Sequence, residues 1–97
     1  MLLIKAAALL LKDGSVISGK CHADCYKGTI RELVLNCTQG FITSEDKFVD
    51  RTEAGRIAFA AKQIKKDLEG SILISEEIWS DGNCEWDDVA MSYKFKE

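Results

Sequence analysis

Between residues 2 and 19 the chain reads LLIKAAALLLKDGSVISG, two apolar runs separated by a short polar break that contains Asp13-Gly14. An Asp-Gly pair in that setting is a strong short-range signal for a β-hairpin, because both central positions of a two-residue hairpin turn require positive φ. Leu2 to Leu11 is too apolar and too short for a surface helix, so it reads as the outgoing strand, with SVISGK as the return. Ala6, Ala7 and Ala8 have poor strand propensity and leave a helix over the same run as the alternative. A chain that opens on such a hairpin is committed to an antiparallel sheet, and the later elements must pack on it.

Those later elements follow from periodicity. Tyr26, Ile30, Leu33 and Cys37 recur at helical spacing and predict a helix from Ala23 to Cys37. GFIT and KFVD, joined by SEDK, predict a second tight hairpin. The strongest helix runs from Thr52 to Leu68. Asp50 is its N-cap, Glu53 is placed to reach back in a capping box, and Ala54, Ile57, Ala58, Ala61, Ile64 and Leu68 share one face before Gly70 ends it. SILIS reads as a further strand, with EEIWSD turning off it. The tail CEWDDVAMSYKFKE has strand spacing at Val89, Met91, Tyr93 and Phe95, which suits an edge strand or pairing with a neighbouring subunit. Residues 1–97 therefore predict a single α+β domain: a small antiparallel sheet with an N-terminal hairpin and two packed helices. With only 97 residues to build a core, a homodimer is expected.

Composition narrows the function. A hydrophobic content of 46% with 30% charged residues is that of an ordinary globular chain. The net charge of −3 argues against DNA or RNA binding, which needs a broad basic surface, but leaves room for one small anionic ligand. No apolar stretch approaches the roughly 20 residues of a membrane span. MLLIKAAALLLKDGS lacks the basic start and small-residue cleavage site of a signal peptide, so a cytoplasmic location is expected. The four cysteines are expected as reduced thiols. Cys21, His22 and Cys25, completed by Cys37 or Cys84, have zinc-ligand chemistry, yet no second close pair accompanies Cys21 and Cys25, and the reading is buried thiols with no metal.

The residue types around one helix start point to an anion or nucleotide. Phe41 and Phe48 flank a polar loop, and Asp50, Arg51 and Arg56 follow at the first turns of the helix, where unpaired backbone N–H groups and the dipole favour anions. Arg51 sits where the dipole disfavours a cation, which suggests an ion pair or an anionic ligand. The plain alternative has both rings in the core, both arginines solvated and Asp50 as a cap alone. Lys20 and His22, at the end of the return strand, are placed to face a phosphate or ribose; a histidine bonded to nearby backbone is the alternative. Trp79, preceded by Glu76 and Glu77, suits base stacking and ribose recognition, or equally core or subunit-interface packing. No nucleophile elbow or phosphate-cradling glycine loop is present, so neither catalysis nor a cofactor is expected. An enzyme would have to use His22 with Asp24 or Asp50, or Cys21 or Cys25 as nucleophile.

Three ordered segments carry a resemblance: IKAAALLLKDGSVISGKCH, ending in Gly-Lys-x-His, then QGFITSEDKFVDRTEAGRIAFAAKQI, then ISEEIW. The chain resembles the first described family of phage anti-Thoeris sponges, which sequester cyclic ADP-ribose isomers made by a host TIR enzyme without cleaving them. The resemblance spans about residues 3 to 79 and is most specific at Gln-Gly-Phe, Phe-Val-Asp-Arg and the alanine-rich helix ending in Gln63-Ile64. It implies a homodimer or higher homo-oligomer in the host cytoplasm, ligand pockets near the subunit boundary and, as in some members, separate sites for cyclic oligonucleotides. Carried over, Phe41 would stack on adenine, Asp50 and Arg51 would meet ribose and phosphate, and Lys20 and His22 would close the first hairpin's end of the site. Phe48, Arg56 and Trp79 complete the expected ligand-binding set. The resemblance does not call for Cys21 or Cys25 and assigns nothing after Trp79. An enzyme hydrolysing an ADP-ribose-type nucleotide, and a small module blocking a host protein, are the alternatives.

Overall fold

The computed structural model describes residues 1–27, 29, 32 and 35–96. They form an α+β fold with strands β1 (Ile4–Leu10), β2 (Val16–Gly19), β3 (Thr38–Thr43), β4 (Phe48–Asp50), β5 (Cys84–Asp87) and β6 (Ser92–Phe95). Helices α1 (His22–Lys27), α2 (Arg51–Ala60) and α3 (Glu76–Trp79) intervene. An antiparallel sheet of order β2-β1-β3-β4 carries the fold, and β5 and β6 form a separate hairpin.

β1 is the central strand. Ile4 and Ala6 to Leu9 are at most 1% exposed, so successive side chains are buried on both faces of the sheet. That explains why the run lacks strand alternation, and the small alanines let neighbouring layers approach closely despite their poor propensity. Ala7, opposite both Gly19 and Phe41 in register, joins Phe41, Ala54, Ala58, Leu73, Ile78, Cys84 and Tyr93 in the main core. A smaller cluster of Leu9, Leu11 and Cys25 lies under α1.

The two hairpins of the sheet turn alike, and neither by the two-residue turn expected at Asp13-Gly14. Leu11 N–H donates to Ser15 O and Gly14 N–H to Leu11 O, so the loop has three residues and Gly14 alone, at φ +93°, is left-handed. Thr43, Lys47 and Asp46 repeat the pattern, with Asp46 at φ +62° in the glycine's place.

Four expectations change. The helix predicted from Ala23 to Cys37 is present as α1 over His22–Lys27, with Cys25 rather than Tyr26 facing inward, while Ile30 and Leu33 lie outside the described residues. The helix predicted to reach Leu68 stops at Ala60. Lys62 takes φ +64°, and Gln63 N–H donates to Ala58 O while Lys62 N–H donates to Phe59 O, a Schellman ending without glycine. SILIS is not a strand: Leu73 is buried and its N–H donates to Arg51 O, whereas Ile72 and Ile74 are exposed, and EEIW is helical. The tail forms its own hairpin, with Trp86 opposite Tyr93, and places Val89 and Met91 in the connecting loop.

Candidate functional site

Asp50 caps α2 as expected, its carboxylate accepting from Glu53 N–H at 2.8 Å. The capping box does not close: the Glu53 carboxylate pairs with Arg56 at 3.0 Å. Arg56 is thereby committed to a surface ion pair at one helical turn, an interaction of little energetic weight. Arg51, the first residue of α2, is half-buried.

The Gln-Gly-Phe segment of β3 has a physical reason at each position. Gln39 Nε2 donates to the Tyr26 hydroxyl at 3.0 Å. A Cβ at Gly40 would lie 2.2 Å from Val49 O and 2.4 Å from the Phe48 ring, so only glycine fits beneath Phe48. Phe41 is fully buried. The stacking of Phe41 on adenine that the resemblance implies therefore does not match this structure: Phe41 is enclosed in the main core with no exposed surface, and Phe48 is half-buried over Gly40.

Lys20 meets Trp79 from a segment far away in the chain, and His22 lies within electrostatic reach of Arg51. The Lys20 ammonium lies 4.1 Å from the centroid of the Trp79 ring, a cation–π contact. Among the described residues, the ion pairs engage Lys5, Lys27, Arg56 and Lys94; Lys20 and Arg51 are in none of them, and neither are Lys12, Lys47, Lys62, Lys65, Lys66 and Lys96. The His22 ring stands edge-on to Phe41, with centroids 5.2 Å apart, and shares a 2.8 Å hydrogen bond with Gly40 O. A carbonyl only accepts, so the His22 Nε2 carries the proton and Nδ1 is the ring's free acceptor. Burial lowers the His22 pKa; the Gly40 carbonyl and Glu76 oppose that shift, and Arg51 reinforces it. His22 is thus neutral at pH 7 and lies within electrostatic reach of both Arg51 and Glu76. Trp79 Nε1 and Glu77 Oε2 are buried without a hydrogen-bond partner among the described residues.

The group offers a cation on an indole that is itself packed against the main core, and a neutral imidazole within electrostatic reach of Arg51 and the Glu76 carboxylate, residue types that suit an anionic, aromatic ligand. Hollows of about 250 Å³ beside Ile64, Lys66 and Glu77, and about 220 Å³ beside Ile4, Ser44 and Tyr93, are lined by none of the eight expected residues. Among the described residues no three His, Cys, Asp or Glu side chains are grouped to hold a metal ion, and no helix is long and apolar enough to cross a membrane. The cysteines are free thiols.

Residues 3–79 match the family model described as phage T4 y16D protein. The chain belongs to this family. No curated protein and no solved structure gives a match. The y16D family span takes in β1 to α3 and all eight expected site residues, but ends before the β5–β6 hairpin. Sequence reasoning assigned nothing to Tyr93 of that hairpin, whose hydroxyl donates to Lys20 O. Its only signal was strand spacing, which says nothing of so distant a partner.

Proposed function

We propose that this phage-family protein binds cyclic ADP-ribose-type nucleotides and holds them intact, as an anti-defence sponge. One observation supports the reading: the Lys20 ammonium lies on the Trp79 indole, and His22, two residues from Lys20, is within electrostatic reach of Arg51 and Glu76. The adenine stacks on Trp79 rather than Phe41. Lys20, which rests on that ring in the free protein, turns to the pyrophosphate as the base arrives, and Arg51 at the positive end of α2 takes the second phosphate. Glu76 accepts from a ribose hydroxyl. A base stack contributes about 1–3 kcal/mol, and an effective sponge needs a nanomolar site, near −12 kcal/mol. The protein acts in the host cytoplasm as a homodimer or larger assembly, without DNA or RNA, and cyclic oligonucleotides are a second ligand class to test.

The experiment is calorimetric titration with cyclic ADP-ribose isomers, followed by heat release and mass analysis of the ligand. Tight binding with unchanged mass is expected. A changed mass makes the protein a nucleotide hydrolase, and absence of binding turns the reading to a module that blocks a host protein. Lys20→Ala and Arg51→Ala should each weaken binding, whereas Arg56→Ala should not.

A further inference from the structure

The β5–β6 hairpin lies beyond the family-matched residues, yet Cys84 and Tyr93 build it into the main core, with Trp86 packed against it. Tyr93 is 7% exposed, stands edge-on to Trp86 at 5.3 Å, and spans 73 positions of sequence to donate its hydroxyl to the Lys20 carbonyl. The backbone of Ala7 lies beside the same hydroxyl, and burial raises the hydroxyl's pKa, so it remains a donor throughout the working pH range. Lys20 follows the last residue of β2, and its side chain reaches the Trp79 ring. Trp79 closes α3, and the chain then runs directly into β5. The hairpin thus holds Lys20 by a hydrogen bond and continues covalently from Trp79.

We propose that Tyr93 is a positioning residue for the ligand site: its hydrogen bond to the Lys20 carbonyl holds Lys20 in register with Trp79. The inference rests on the nucleotide-binding reading for its functional consequence. Gly19, paired with Ala7, and Cys21, whose carbonyl accepts from the start of α1, fix the backbone on either side of Lys20, and the Tyr93 hydroxyl adds the tie at Lys20 itself. With the carbonyl tied to Tyr93, the Lys20 side chain starts from a fixed backbone point, so the ammonium that covers the indole in the free protein needs only a side-chain rotation to meet the phosphates as the base arrives.

The test is Tyr93→Phe, which keeps the ring and removes only the hydroxyl, read in two ways. In the free protein, the Lys20 ε-methylene resonances should be shifted upfield by the Trp79 ring current, given the 4.1 Å from the ammonium to the ring centroid. Tyr93→Phe should abolish that shift while the edge-on shifts between residue 93 and Trp86 persist; an unchanged Lys20 shift overturns the proposal whatever the protein binds. In titrations with cyclic ADP-ribose isomers, Tyr93→Phe should lower affinity about fivefold, the scale of one hydrogen bond. It should have no further effect in a Lys20→Ala background. An undiminished affinity, or an equal loss in that background, shows that Tyr93 does not act through Lys20. If the wild type binds none of these nucleotides, the ligand reading fails, and the ring-current measurement still decides whether Tyr93 positions Lys20. Should Tyr93→Phe fail to fold, the Tyr93 hydroxyl proton of the wild type should exchange slowly with solvent and show a through-space contact to Lys20, and a freely exchanging hydroxyl overturns the proposal.

Discussion

The side-chain amide of Gln63 spans the backbone of Ile4: Oε1 accepts from Ile4 N–H and Nε2 donates to Ile4 C=O, each at 2.8 Å. β2 ends opposite Ala7, so the first residues of β1 have no strand beside them on that edge. Gln63, 1% exposed, takes the place of the missing strand. Gln63→Ala should therefore leave both polar groups of a buried residue unpaired and cost about 3 kcal/mol. Urea denaturation measures it; a loss below about 0.5 kcal/mol would mean water replaces the amide without penalty.

The same residue explains the early end of α2. Lys62 adopts φ +64° so that the chain can turn Gln63 inward, and a left-handed non-glycine residue carries strain of roughly 1–2 kcal/mol. Lys62→Gly should stabilise the protein by about 0.5–1 kcal/mol, after the entropic cost of glycine is subtracted. The Lys62 carbonyl, which accepts from Asn83, is unaffected by the change. A lower thermal midpoint in the variant would show that the lysine side chain contributes more than its backbone strain costs.

Gly40 is constrained by backbone as well as by a ring. Because a Cβ would meet Val49 O at 2.2 Å, moving Phe48 aside cannot relieve the clash. Gly40→Ala should destabilise by about 3 kcal/mol or more, and adding Phe48→Ala should restore only part of the loss. Full recovery in the double variant would place the whole conflict at the ring.

His22 is the sole histidine, so stability between pH 5 and 7 reports on it. Its folded pKa is lowered by burial, with Arg51 reinforcing and Gly40 and Glu76 opposing. Between that value and the unfolded value near 6.5, the unfolded state binds more protons, so stability rises with pH. Stability from this source is complete above about 6.5 and is lost as pH falls through the folded pKa. Urea midpoints should decline on acidification across this window in the wild type and stay flatter in His22→Gln. Parallel profiles would remove His22 as the cause.

The thiols should separate by burial. Desolvation pushes Cys25 up to about 11, with Cys21 and Asp24 adding to it, and burial also raises Cys84. Cys21 and Cys37 are half-buried. Brief alkylation at pH 8, mapped by mass spectrometry, should label Cys21 and Cys37 first, since the thiolate is the reactive form. Equal labelling of Cys25 would indicate that α1 opens readily.

What the sequence determined by itself is the local physics. Asp13-Gly14 marks the first hairpin, SEDK the second, and Asp50 the start of α2, because turns and caps are closed by groups within a few residues. The α+β class follows from their order. Even here the loop length escaped, since an Asp-Gly pair serves a three-residue turn as well as a two-residue one. What only the tertiary structure decided depends on partners far along the chain. The helical period continues past Ala60, but Gln63 is needed at Ile4, 59 residues away, and that demand ends the helix. Phe41 and Trp79 are both aromatic rings in a resembling segment, and nothing local separates them. Packing against Ala7 and Ala54 buries Phe41 entirely, while Trp79 meets the Lys20 ammonium, itself tied by its carbonyl to Tyr93. A side chain's type limits what it can bind, but whether it is free to bind depends on what the folded chain has already brought against it.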